Sequence, residues 1–378
     1  MSAPLLTSPT VRLGAPTLQT ITGAVAGNVR AIQAATNGPV MAVVKADGYG
    51  HGAVAVARAA VSAGATWLGV TDVSEAVTLR HAGFTVPILA WLHPAGIDGP
   101  VAATYGIDVA VGSCEELRDL IVDVREAGAP AVRVHLHMDT GMARGGAPVA
   151  EWAELLRVAR FGQDQGSIRV VGIMGHLPHA DRADPAANAP AVRRMRAARD
   201  AVLRAGLGPV IVHLAATAGA LTDPATHFDL VRAGAGLVGI DPSQTVGLYG
   251  ASRFTAPIVH SASLDARTPV GYGGLHVTDG PTRVSVIGVG YADGIPRELS
   301  PAASVQILGQ SFRIVGRVSM DQIVVDTGPQ TFARGTVATI FGPEGDATPT
   351  IYDWARWAGT IAHTIVCGIG PRVQRSTL

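Results

Sequence analysis

Lysine is almost missing from this 378-residue chain: Lys45 stands alone among 29 basic residues. Arginine can replace lysine in surface charge, ion pairing and phosphate contact. It cannot shed its proton near neutral pH, so it cannot form an imine or act as a general base there. A scarcity of lysine codons explains the shortage but not the place where the one lysine stands. Cysteine is scarce too. Cys114 and Cys367 are the two present, far apart and without a CxxC or Cys/His spacing, which excludes a disulfide framework and leaves no metal site to expect. Charged residues make up 15% and the formal net charge is zero. With no basic run carrying interleaved aromatics, nucleic acid is not an expected partner. No apolar stretch reaches membrane-spanning length, and the first residues lack a basic and apolar leader pattern, so a cytoplasmic location is expected.

What the chain does have is 48% hydrophobic residues and enough length for two domains. Short apolar runs alternate with helical patterns: 40–45, 66–71, 86–91, 107–111, 132–138, 169–176, 209–215 and 237–240. Eight such runs predict a (β/α)8 TIM barrel over 13–245. A doubly wound sheet is the alternative, but the first strand is not followed by the glycine spacing of a dinucleotide fold. Within the barrel, 17–36 reads as one helix, after a short candidate strand at 10–13. From about 246 the texture turns to β-strands and turns, with only 352–359 helical. A mostly β domain over 246–378 is expected, with residues 1–12 joining it.

In a barrel, chemistry gathers where strands end. Lys45 closes the first run, ahead of the loop Ala46-Asp47-Gly48-Tyr49-Gly50. Arg144 follows the fifth run, His176 ends the sixth, His213 and Thr217 close the seventh, and Arg232-Ala233-Gly234-Ala235-Gly236 precedes the eighth. Taken singly, His176 reads equally as a core histidine, Arg144 as a surface cation and the glycine strip as a tight turn. Together, a lysine for an imine, donors for a phosphate from Gly234, Ala235, Thr217 and Tyr49, and an arginine for a ring nitrogen suggest pyridoxal 5'-phosphate (PLP).

The blocks AVVKADGYGHG (42–52), MDTGMARGG (138–146), HLAATA (213–218), DLVRAGAGLVGI (229–240), PVGYGG (269–274), GVGYADGIPR (288–297) and GRVSMDQIVVD (316–326) resemble the alanine racemase family, in its order and over essentially the whole chain. The resemblance implies a PLP-dependent isomerase interconverting L- and D-alanine for cell-wall precursor supply, and a homodimer with shared active sites. Another small amino acid such as serine, or a weakly catalytic PLP- or inhibitor-binding homologue, is the alternative. Residue by residue, Lys45 looks like the Schiff-base lysine and one base, and Tyr272 like the opposite base, reaching in from the partner subunit. Arg144 looks like a contact of cofactor and substrate carboxylate, Met320 like a backbone donor to that carboxylate, and Tyr291 like the residue narrowing the entrance. Arg232 looks like the partner of the pyridine nitrogen, with His176 beside it. Tyr49, Thr217, Gly234, Ala235 and His363 align with phosphate contacts. Three positions depart from the family pattern. His137 replaces a lysine that is often carbamylated and braces the arginine equivalent to Arg144. Ala216-Thr217 replaces an Asn-Ser pair, and His363 replaces a tyrosine. A small anion or the His137 imidazole itself is expected to take over the brace.

Overall fold

The computed structural model describes residues 14–345 and 347–378. They divide into two compact units, one of Thr22–Ala251, the other of Ser252–Leu378 with the segment ending at Ile21.

The first unit is the (β/α)8 barrel. Its strands are β2 (Val40–Val43), β3 (Trp67–Val70), β4 (Ile88–Ala90), β5 (Asp108–Val111), β6 (Val132–His137), β7 (Ile168–Met174), β8 (Ile211–His213) and β9 (Val231–Ala233), with β1 (Thr17–Thr20) belonging to the other unit. The order β8-β7-β6-β5-β4-β3-β2-β9 is parallel throughout. The sheet closes on itself through a bridge between Ala216 and Arg232, where the Arg232 N–H donates to the Ala215 carbonyl at 2.9 Å. A parallel sheet covered by helices is buried on both faces, which is why β2 and β5 are buried at every position and β2 reads as an unbroken apolar run. Met41, Val43, Leu89, Ala110 and Met174 pack in the interior, with Trp67 and Trp91 against them.

The β unit is built on β10 (Ser252–Leu264), β11 (Pro269–Val270), β12 (His276–Val277), β13 (Thr282–Ile287), β14 (Ser304–Ile307), β15 (Gln310–Val315), β16 (Ile323–Gly328), β17 (Val337–Phe341) and β18 (Gln374–Thr377). The long β10 pairs with β17 through its first half and β13 through its second, with a bulge between Ile258 and His260. The order β13-β16-β15-β14-β17-β10 is thereby closed into a ring, and β1 and β18 extend it beside β10. β11 and β12 form a separate two-stranded hairpin.

Several expectations need correction. Residues 17–20 are a strand, and the helix begins at Thr22. Thr17–Thr20 gains partners on both sides, Ser252–Thr255 antiparallel and Gln374–Thr377 parallel, and such distant pairing is invisible to local periodicity. The candidate strand at 10–13 and the proposed joining of 1–12 lie outside the described residues. The eighth barrel strand is Val231–Ala233, while 235–238 forms a single 3-10 turn. Arg232 therefore lies on the strand, and the glycine strip follows it. The helix expected at 352–359 is Ile351–Trp357, and a second helix, Ala362–Cys367, comes after it.

Candidate active site

Lys45 follows β2 at the C-terminal mouth of the barrel, with its Nζ 5.9 Å from the centroid of the Trp91 ring. Beyond it the backbone winds left-handed: φ is 52° at Ala46, 51° at Asp47, 63° at Gly48, 58° at Tyr49 and 80° at Gly50. Left-handed geometry costs a non-glycine residue of order 1 kcal/mol, so three such residues in one turn need strong external bracing. Glu75 supplies it, accepting the Ala46 N–H at 2.8 Å on one carboxylate oxygen and the Thr71 N–H at 2.7 Å on the other. The Asp47 side chain accepts the Ala53 N–H at 2.8 Å, tying the turn to the helix Ala53–Ser62.

Beneath the mouth lies Arg232, 4% exposed. Its Nη1 donates to the His213 carbonyl at 2.9 Å and to His213 Nδ1 at 3.1 Å. Its Nη2 donates to the carbonyls of Gly175 (2.7 Å) and Leu214 (3.1 Å) and meets His176 Nδ1 at 3.3 Å. None of these acceptors is a carboxylate, and the Nε–H takes no part in them. Burial pushes the guanidinium down to about 10, which still leaves it charged at neutral pH.

The rim histidines answer to that charge. Burial first, then Arg232, Arg144 and Lys45, depress His176 to about 3. Burial first, then Arg232 and to a smaller extent Arg144, depress His137 to about 4, against an opposing pull from Asp139. Both rings are neutral near pH 7. His176 lies two residues beyond β7, held by mutual hydrogen bonds with Thr140. Among the described residues no hydrogen bond joins the His137 imidazole to Arg144, whose charge instead lowers the His137 pKa. Arg144, exposed, follows a loop folded around Asp139, whose Oδ1 accepts the N–H groups of Gly141, Met142 and Ala143.

Beside Arg232 the glycine strip makes a small-residue pocket. The Thr217 hydroxyl accepts the N–H groups of Gly234 (3.3 Å) and Gly236 (3.0 Å) and keeps its own O–H to donate. A Cβ at Gly234 would stand 2.2 Å from the Tyr49 hydroxyl oxygen, so only glycine allows this approach. Ala235 is buried.

The remaining expected residues belong to the β unit. Tyr272, 69% exposed, sits at the tip of the β11–β12 hairpin, where Gly271, Gly273 and Gly274 all have positive φ. Tyr291 opens a 3-10 turn, and its N–H donates to Ser319 while the Ala292 N–H donates to Met320. The exposed Met320 directs its own N–H to no group among the described residues. Arg372 clamps these turns through Asp293 (2.6 Å) and Asp321 (2.7 Å). His363 lies on the helix Ala362–Cys367.

Sequence reasoning missed Glu75, Arg372 and two buried groups, Asp108 and His135. For His135 a signal existed: Val-Arg-Val-His-Leu-His in β6 places Arg133, His135 and His137 on one face of a barrel strand.

A closed parallel barrel with one amine at its mouth, joined to a β domain, defines a two-domain barrel enzyme with a lysine-centred site. The alanine racemase N-terminal domain family matches residues 22–242, and the alanine racemase C-terminal domain family matches 251–377. The alanine racemase of Beutenbergia cavernae is 44% identical over 360 residues, 93% of this chain and 95% of that protein. That of Salinispora tropica is 42% identical over 355 residues, again 93% and 95%. The crystal structure of alanine racemase from D-cycloserine-producing Streptomyces lavendulae superimposes with a TM-score of 0.92 at 37% identity, covering 98% of both chains. The Bartonella henselae enzyme, solved with covalently bound pyridoxal phosphate, gives 0.83 at 27% identity, covering 96% and 99%. This chain belongs to the alanine racemase family.

Proposed function

We propose that the chain interconverts L- and D-alanine with pyridoxal 5'-phosphate held on Lys45, in the cytoplasm and as a homodimer. The observation that carries the proposal is the place of the one lysine. Lys45 follows β2 at the barrel mouth, its Nζ 5.9 Å from the Trp91 ring centroid, in the same barrel as the buried Arg232, which meets His176 at 3.3 Å. The residues fit the cofactor. They offer one amine, an arginine Nε–H still to donate, a free threonine O–H and a glycine that leaves room where a Cβ would collide.

When bound, the cofactor supplies an electron sink that acidifies the α-proton of an amino acid. Inversion then needs one group to take the proton from one face and another to return it to the opposite face. Lys45 Nζ serves the first face, and Tyr272 of the partner subunit serves the second. The exposed Tyr272 tip, with Leu275 (65%) and Val277 (48%) on the same hairpin, supports a role that needs a second copy. Arg144 and the Met320 N–H hold the substrate carboxylate, and Tyr291 narrows the entrance so that a methyl side chain is preferred. Arg232 gives the ring nitrogen a hydrogen bond without giving up its proton, which tempers the sink. Tyr49, Thr217, Gly234, Ala235 and His363 hold the phosphate.

The test is incubation of the loaded protein with L-alanine, and with L-serine in parallel, in D2O. α-Proton loss is followed by NMR and the D-enantiomer by chiral chromatography. Deuterated D-alanine, absent with Lys45→Ala, is the expected result. Exchange without inversion overturns the two-base assignment, and no exchange with alanine overturns the substrate.

A further inference from the structure

TIM-barrel interiors are ordinarily filled by branched apolar side chains. Here a file of polar groups runs through the barrel: Asp108 is 1% exposed, His135 and His213 0%, and Arg232 4%. Burying them costs desolvation that an apolar filling would avoid. Room is made on purpose at Gly172, where a Cβ would lie 2.1 Å from His135 Nδ1. The His135 ring meets His213 at a centroid distance of 5.0 Å and Trp67 at 5.7 Å, both edge-on.

Every proton in the file follows from one fixed end. Arg232 is charged and only donates, so His213 Nδ1, 3.1 Å from Nη1, carries no hydrogen. His213 is neutral, because burial first and then Arg232 hold its imidazole well below the usual range. Its hydrogen is therefore on Nε2, 2.8 Å from His135 Nδ1. That nitrogen must accept, so His135 carries its hydrogen on Nε2 and gives it to Asp108 Oδ2 at 3.3 Å. Asp108 Oδ1 accepts from Arg133 Nε at 2.7 Å, and Arg133 Nη2 donates on to the Gly106 carbonyl at 3.0 Å. The chain runs without reversal from a guanidinium to a carboxylate.

We propose that Asp108 and His135 are positioning residues for Arg232, fixing the tautomer of His213 so that it presents an acceptor to the guanidinium. The consequence for catalysis rests on the reading that the Arg232 Nε–H serves a cofactor ring. The proton order itself does not depend on that reading. Asp108 is the only group of the file able to impose the order from its far end, and an amide in its place reverses it. In Asp108→Asn, the amide oxygen stays with Arg133 and the NH2 turns to His135 Nε2. His135 then donates from Nδ1, and the His213 hydrogen moves to Nδ1, facing the Arg232 hydrogens. Removing Arg133 as well lets the amide turn over and restores the original order.

The experiment is two-bond 1H–15N correlation of histidine-labelled holoenzyme, with the cofactor's visible absorption and kcat/KM measured on the same samples. In the wild type both His135 and His213 are expected as Nε2–H tautomers. An Nδ1–H form of either ring overturns the proposal, whatever the variants do. Asp108→Asn is expected to turn both rings to Nδ1–H, move the absorption maximum and lower kcat/KM about tenfold, the size of one buried hydrogen bond. Asp108→Asn combined with Arg133→Met is expected to recover the wild-type tautomers and most of the activity. Unchanged tautomers in the single variant, or merely additive losses in the double variant, overturn the relay. If the tautomers behave as stated but no amino acid is racemised, the relay stands and the functional reading fails.

Discussion

Lys45 and Tyr272 sit on loops built on opposite principles. The Lys45 turn holds three non-glycine residues in left-handed backbone and is fastened from both sides by Glu75 and Asp47. The Tyr272 tip meets the same need for positive φ with glycines, and a Cβ at Gly273 would touch nothing within 4 Å. One loop is made rigid by its own subunit. The other is cheap to bend and exposed, a form suited to being fixed by something outside the chain. The order of the Lys45 turn is thus written in intramolecular hydrogen bonds, and under the proposed function that of the Tyr272 tip is to be supplied by a partner.

The strongest way to break this contrast is to disable the two loops separately. Lys45→Ala and Tyr272→Phe should each lower kcat/KM by roughly 10²–10⁴-fold, the range for loss of an acid–base group. Mixed in equal amounts under exchange, half of the dimers carry one intact site, so about a quarter of wild-type activity should return. Activity that fails to return while native mass spectrometry shows heterodimers would place Tyr272 and Lys45 in the same subunit's site.

A smaller effect separates rigid from partner-dependent order. Glu75→Ala strands the N–H groups of Ala46 and Thr71 and should cost about 1–3 kcal/mol of stability. The melting temperature and kcat should fall together. Gly273→Ala puts a side chain at φ 74°, a local strain of about 1 kcal/mol, in open space. It should lower the melting temperature of the monomer less than Glu75→Ala does and weaken activity through dimer-dependent steps, read as a steeper fall of specific activity on dilution. Equal loss of melting temperature in both variants would erase the distinction between the loops.

Much of this was legible in the sequence, and the boundary is physical. Lys45 stood out because its chemistry has no arginine substitute, and the barrel because eight apolar runs alternate with helices. Local patterns failed where distant partners decide. Thr17–Thr20 is a strand through Ser252–Thr255 and Gln374–Thr377, and Val231–Ala233 replaces the more apolar 237–240 because it lies between β2 and the end of β8. The braces escaped for another reason. Glu75 and Asp108 are ordinary carboxylates in sequence, and only the fold shows which backbone amides and which imidazole they serve.

A pH-dependent effect concerns the charge around Lys45. His137, at about 4, and His176, at about 3, are neutral in the folded chain, whereas in the unfolded chain they titrate at the model-peptide value of 6.5. Between pH 6.5 and 4 the unfolded state therefore binds more protons, and stability falls as the pH falls. It is fully present above about 6.5, and each imidazole contributes a slope of up to about 1.4 kcal/mol per pH unit within its window. Urea midpoints taken at pH 7 and pH 5 should show this loss, at a pH where most carboxylates are still ionised. His137→Asn should remove one histidine's share of the loss while leaving the pH 7 midpoint nearly in place, since the His137 imidazole makes no hydrogen bond among the described residues and its carbonyl keeps the Ala147 N–H. An unchanged slope in that variant would mean that burial, with the Arg232 and Arg144 charges beside it, does not hold His137 neutral in the folded chain.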